Sequence, residues 1–387
     1  MHISVVQSLA EVASAEWDVL AGDDDPFVEH AFLEALEWSG TVGADSGWTP
    51  LHLLARDAAG RLVGALPLYA KDHSYGEYIF DWAWASAAQR MGARYYPKLV
   101  SMVPVTPTTG RRFLTAPNAP RADVIRALAE GALSLARELR VSSVHLNFLE
   151  AEESALVAEL GFLPRVTHQF HWENAGYADF DAFLATHRSK ARKEVKRERR
   201  KVVDAGLVVA VTSGTELAPG DWTSLEGFYR DTCARKGNDA YLTPKFFARV
   251  RERFAHRVVA VLARKDGVVV AGTLNFEKGT RLYGRYWGAD IAYDALHFEL
   301  CYYRLIERAI ERGYTRFEAG AQGLQKLRRG FLPREVHSAH WLAHPKLRDA
   351  VADYLPRETA AAREEMLALR EQSPFRRDGA DPADDAP

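Results

Sequence analysis

GFLPRVTHQFHW (Gly161–Trp172) and GFLPREVHSAHW (Gly330–Trp341) are two copies of one twelve-residue stretch, identical at eight positions without a gap. Both end in His-x-x-His-Trp. Three readings compete for such a repeat: an active-site element, a metal site built twice, or the mark of a duplicated fold. A Gly closing a helix enters the left-handed region without strain, and the Phe behind it then packs on a core. Pro brings no ladder donor, so Leu-Pro suits the entry to a strand. His residues three apart on a strand point to opposite faces, which keeps them from sharing one metal ion. The stretch reads as a helix-to-strand corner made twice, and no metal is expected.

The flanks of the corner are repeated as well. A helical stretch precedes each copy, ADVIRALAEGALSLAREL and ALHFELCYYRLIERAIER. In the second, Phe298, Cys301, Tyr302, Leu305, Ile306 and Ala309 make one helix face, with Gly313 as a stop. Strands are expected over Val141–Leu149 and Tyr314–Gln322, each leading through a short helical segment into its corner. Further upstream, Ala58–Tyr69 and Lys265–Phe276 read as strands after Gly-containing turns. Each half therefore has the α/β (α+β) order of a mixed central sheet flanked by helices. The expected division is a first domain over 1–175, a basic helical connector over 176–204, and a second domain over 205–345. A C-terminal helix with a disordered acidic tail, 346–387, completes it.

Composition narrows the class. An apolar content of 47% and a charged content of 26% are those of a globular protein long enough, at 387 residues, for two cores. No apolar run is long enough to span a membrane, and the first residues lack a secretory pattern, so a cytoplasmic location is expected. Cys233 and Cys301 are the only cysteines, which argues against a disulfide framework. The net charge of −2 hides an asymmetry: Arg188–Lys201 carries nine basic residues against two Glu, leaving the remainder at −9. A located basic segment is not the overall composition of a DNA-binding protein.

The repeated unit, together with GALPLYAKDHSYGEYIFDWAW, RYYPKLVSMVPVTPTTGRR, HRSKARKEVKRERRKV, LYGRYWGAD and FEAGAQGLQKLRRGFLPREVHSAHW, resembles the FemAB-like "peptidoglycan biosynthesis/recognition" family, with its tandem GNAT-like domains. The resemblance runs from about Phe32 to about His344. It implies an N-acyltransferase that passes an acyl group to a small-molecule amine or a muropeptide-type acceptor, with acyl-CoA as co-substrate. Two alternatives stay open: an aminoacyl-tRNA donor acting on a peptidoglycan precursor, and a non-catalytic binder of anionic precursors. One departure stands out. GNAT enzymes hold the pyrophosphate of coenzyme A on a Gly-rich loop before the long helix, and here that position reads WGADIAYDALHFEL. The nearest substitute is TPTTGRRFL, where Gly110, Arg111 and Arg112 offer an amide and two guanidiniums for phosphate, or form a plain turn.

Candidate chemistry is spread over both halves. As a helix, the basic segment puts Ala191, Val195 and Val202 on one stripe and Arg188, Arg192, Lys196, Arg199 and Arg200 on another face. Arg192, Lys196 and Arg200 are the anion-binding candidates, against a solvated charged face. Glu318 in FEAGAQG is the preferred general base, since a partly buried carboxylate gains proton affinity; the alternative is a structural carboxylate paired with an Arg. Gln322 and Lys326 are expected to orient substrate from the same loop. His297, with Glu299, is a second base candidate. In LYGRYWGAD, Tyr283 and Arg285 are expected on one face, with Arg285 as a substrate contact and Tyr286 as a proton donor, or else as core aromatics. His73, Tyr75, Glu77, Asp81 and Trp82 are read as the acceptor wall, by cation–π contact and charge pairing, or as an aromatic core. No nucleophile-and-base arrangement stands out, so direct attack by the amine is expected.

Overall fold

A computed structural model describes residues 1–320 and 323–376 of the chain. Gln322 and the acidic tail therefore lie outside the described residues. The chain forms two compact units. The first comprises residues 1–168, 241–249 and 335–365, and the second 169–240, 250–334 and the residues from 366 onward. The chain passes between them inside the two strands that the GFLPR copies open, Leu163–Glu173 and Leu332–Leu342.

Both corners have the local geometry expected from sequence. Gly161 and Gly330 lie at φ +87° and +85°, each behind a short helical segment and ahead of its strand. Phe162 and Phe331 are buried in the cores of their units.

In the first unit the strands Lys98–Ser101 and Ser143–Leu149 run parallel. A parallel pair has to be joined across the sheet, and the helix Arg121–Glu138 makes that crossing. Its buried residues Val124, Ile125, Leu128, Ala129, Ala132, Leu133 and Ala136 keep one face on the core, against Leu99, Val144 and Leu146. Tyr69–Lys71 and Trp48–Pro50 extend the sheet antiparallel beside Lys98–Ser101, and the end of Leu332–Leu342 pairs antiparallel with Ser143–Leu149. A separate antiparallel sheet is built from His2–Val6, His52–Arg56, Leu62–Leu66 and Leu114–Thr115.

The second unit repeats the crossing. Val208–Ser213, Val258–Lys265, Val268–Lys278 and Arg281–Ala289 form an antiparallel meander, and Arg316–Glu318 then adds parallel to the last of these. The crossing helix runs from Leu296 to Glu311 and includes a π-helical stretch over Glu299–Tyr303. Its Leu300, Tyr303, Leu305, Ile306 and Ala309 are buried in the core. The basic segment is not a connector. It is the helix Ser189–Asp204, and its Val195 and Val202 belong to that same core. No helix among the described residues is long and apolar enough to cross a membrane.

The far face of the meander is covered by the helix Pro219–Arg235, which approaches so closely that a Cβ on Gly288 would stand 2.3 Å from the carbonyl oxygen of Phe228. A backbone atom cannot swing away as a side chain would. Gly288→Ala is therefore expected to cost about 1–3 kcal/mol through overpacking, read as a lower urea midpoint at unchanged slope.

Candidate active site

The parallel pairing in the second unit is short. Arg281, Leu282 and Tyr283 face Arg316, Phe317 and Glu318, and there the shorter strand ends while the longer continues to Ala289. The longer strand changes register just past this point: Gly284 lies opposite Asn275, but Tyr286 lies opposite Leu274, so Arg285 is an inserted bulge residue. A bulge re-aims the side chains beyond it. Tyr283 and Tyr286 consequently share one face, which simple alternation along the strand does not give. Tyr286 packs edge-on against Tyr229 of Pro219–Arg235, with ring centroids 5.0 Å apart, and the Arg285 guanidinium lies 5.3 Å from the Tyr286 ring. Trp287 turns the other way, 5.2 Å from the His297 ring.

Glu318 ends the short strand and is buried, 3% exposed. Its neighbour Phe317 points into the helix-covered core, so Glu318 faces the opposite side, with Tyr283 and His171. The carboxylate lies 3.7 Å from His171 Nε2 and 3.8 Å from Arg316 Nη1. Burial, reinforced by Arg316 and Arg334, holds the His171 pKa well below the usual range, so the ring is neutral.

Lys326, from the 3-10 turn Leu324–Arg329, is 2% exposed. Its Nζ donates to the carbonyl of Gly320 at 2.5 Å. Burial pulls its pKa down to about 7; the field of Cys301 opposes this and that of Arg285 adds to it. The Cys301 thiol is pushed up by burial and stays protonated. His297, on the crossing helix, lies among Trp287, Phe298 and Tyr302. Burial lowers it to about 4, helped by Arg329, Lys236 and Lys326, which makes it a weak base at neutral pH. Glu299 does not assist it, because both Glu299 oxygens accept from Arg199 of the basic helix, at 3.0 and 3.1 Å. The structure thus sets Glu318, Tyr283 and Tyr286 on one face of the sheet, and Trp287 and His297 on the other.

The basic helix divides differently from expectation. Arg199 is engaged by Glu299 and Glu307, and Arg192 donates back to the carbonyl of His187 at 3.3 Å. Lys196 and Arg200 remain exposed.

In the first unit the TPTTGRRFL turn is filled by the chain's own acids. Gly110 N donates to the carbonyl of Phe148, and Arg112 pairs with Asp25 at 2.8 Å. The backbone amides of Arg112 and Phe113 both donate to the buried carboxylate of Glu153. A carboxylate occupies the place where a phosphate was expected, and only Arg111 of the three candidates is exposed. The acceptor wall is similarly split. Glu77 and Asp81 are buried on Lys98, whose ammonium donates to both carboxylates and to Ser74 Oγ. Burial alone would lower the Lys98 pKa, but Glu77 and Asp81 outweigh burial and raise it. Glu77 is pushed up to about 7 by its burial, against the pull of Lys98. His73, Tyr75 and Trp82 stand outside this cluster as a chain of edge-on rings, with Tyr75 and Trp82 exposed. Sequence reasoning missed Lys98, a lone cation between apolar neighbours in PKLV, which is the one available sign of a paired internal charge. It also missed His145, whose ring bonds that of His340 at 2.8 Å and so takes the last His of the second repeat.

A family model described as FemAB-like, peptidoglycan biosynthesis/recognition, matches residues 8–377. The C-terminal domain (DUF2156) of a putative lysylphosphatidylglycerol synthetase from Agrobacterium fabrum is similar at a TM-score of 0.55 and 9% identity, covering 90% of this chain and 97% of that one. FemX is similar at 0.54 and 13%, covering 91% and 100%. L-PGS from Bacillus licheniformis is similar at 0.50 and 14%, covering 86% and 98%. At such identities the likeness is one of fold, and the fold is the tandem GNAT-like one. No curated protein sequence matches the chain.

The Lys98 cluster has a measurable consequence. Lys98→Met leaves two buried carboxylates without their cation and is expected to cost about 3–5 kcal/mol. Adding Glu77→Gln and Asp81→Asn should restore most of the urea midpoint; a triple variant no more stable than Lys98→Met would show that packing, not charge, sets the loss.

Proposed function

The chain belongs to the FemAB-like family of peptidoglycan biosynthesis or recognition, and from that premise we propose that it transfers an acyl or aminoacyl group to an amine in a peptidoglycan-related process. The reaction is assigned to the open end of the second unit's parallel strands. The observation that carries this reading is the presence at that end of two buried ionisable groups, Glu318, which closes the short strand, and Lys326, which bonds the carbonyl of Gly320 just beyond it.

An acceptor amine arrives as an ammonium and must lose a proton before it attacks. Glu318 supplies the base, on the face that also holds Tyr283, Tyr286 and Tyr229. Attack on the donor carbonyl forms the C–N bond and an oxyanion, for which backbone amides of the bulged strand are the donors. Collapse breaks the bond to the leaving thiolate or alkoxide, which takes a proton from Lys326. A lysine with a pKa near 7 is divided between its two forms at neutral pH, as a group that gives and regains a proton each cycle has to be. Cys301, kept protonated by burial, is no nucleophile, and direct transfer fits the site better than a covalent enzyme intermediate.

Acyl-CoA is the donor proposed first, in keeping with the tandem GNAT-like fold. The second reading, an aminoacyl-tRNA donor, is favoured by one observation: the exposed Lys196 and Arg200 of the basic helix, which suit a polyanion, while the turn at Gly110–Arg112 is closed to phosphate.

Amide formation is measured by mass spectrometry with each donor against simple amines and a lysine-containing muropeptide. Lys326→Met should lower kcat by roughly 10²–10⁴-fold with little change in KM. Lys326 is protonated below its pKa, so the rate should fall as pH rises through about 7. In Lys326→Arg that falling limb should move out of the neutral range; a limb that stays in place sinks the proton-donor assignment. Undiminished turnover by Glu318→Gln would remove Glu318 as the base.

A further inference from the structure

The basic helix Ser189–Asp204 buries one side and exposes the other. At 100° per residue, Lys190, Lys193, Lys196, Arg197 and Arg200 fall within an arc of about 120°, directly opposite the buried Val195, Glu198 and Val202. All five are exposed. Lys190, Lys193, Lys196 and Arg200 make no ion pair among the described residues, whereas Arg199, toward the buried side, is engaged by Glu299 and Glu307. On a chain of net charge −2 this is a concentrated positive face.

The start of this helix is also where the last described residues are fastened. Arg188 N donates to the carbonyl of Pro374 at 2.8 Å, and Arg376 N to that of Thr186 at 2.9 Å. The Arg188 guanidinium bonds the carbonyl of Ser373. Phe375 is clamped between the rings of Phe183 and His187 and lies against Gly330. The chain is thereby tethered at the helix's N-terminal end. The segment beyond the tether, 377–387, has the sequence RDGADPADDAP, with Asp378, Asp381, Asp384 and Asp385 against a single Arg377.

We propose that the exposed face of the basic helix is a docking surface for this chain's own acidic segment, 377–387. Charge, reach and tether converge on that occupant. Four carboxylates meet five cations. Eleven residues extend up to about 36 Å, and a sixteen-residue helix is about 24 Å long, so a segment starting at one end can run along the face for its whole length. A short tether holds it at an effective concentration in the millimolar range, enough to compete with an external polyanion. The inference concerns access to the face and is independent of which donor the enzyme uses.

Labelled inorganic polyphosphate serves as the probe, titrated into the full chain and into a chain ended at Arg376, which keeps the Phe375 clamp. The shortened chain should bind at least ~10-fold more tightly at low ionic strength, and the gap should close by roughly 0.5 M salt. In a background of Lys190→Ala, Lys193→Ala, Lys196→Ala and Arg200→Ala the two chains should bind alike. Carbodiimide should also join aspartates of 377–387 to lysines of the helix in the full chain. Equal affinity of the two chains for polyphosphate overturns the proposal, as does a gap that persists in the alanine background. A full chain that takes RNA or anionic vesicles as tightly as the shortened one leaves the face to an outside partner, and overturns it too.

Discussion

Two parallel strands cannot be joined by a tight turn; the chain has to leave the sheet, cross over it and come back. Both units are built on that requirement. In each, the crossing helix supplies a large share of the core, and the strand to which it returns runs on through a short helical segment into a GFLPR corner. The left-handed glycine and the buried Phe at each corner are the means of sending the chain back as a long strand. In the second unit the returning strand is very short, so the longer strand outruns it, and the bulge at Arg285 falls just there. The open end to which the chemistry is assigned is thus a by-product of how the crossing is made.

Internal pairing decides which charged residues remain at work. Arg112, Glu77, Asp81, Glu299 and Arg199 all carry chemistry-bearing side chains, and each is engaged by a partner within its own unit. A buried charge left alone would cost several kcal/mol, so these pairs are conditions of folding before they are anything else. Lys326 and Lys71 are buried lysines with no carboxylate ion pair among the described residues. Lys326 bonds the carbonyl of Gly320, and Lys71 bonds the His73 ring and the carbonyl of Tyr75. Burial lowers the proton affinity of both, and of the two only Lys326 stands beside the open strand end.

How much of this could be read from sequence depends on the range of each interaction. The corner, the crossing helices and the strands around them were legible because glycine, proline and hydrophobic spacing act over a few residues. The bulge was not: one inserted residue is defined only against the partner strand, and counting by twos from Tyr283 parts it from Tyr286, which the bulge brings to the same face. Glu77 and Asp81 were visible as carboxylates among aromatics, but their cation, Lys98, comes from a strand further along the chain. The same distance hid Glu299's partner and the carboxylate of Glu153 behind the Gly110 turn.

The division of the two long strands between units has an evolutionary side. Neither unit is a continuous piece of chain: the first is assembled from three segments and so is the second. A single crossover in the gene, or a single cut in the polypeptide, cannot release or exchange one of them intact.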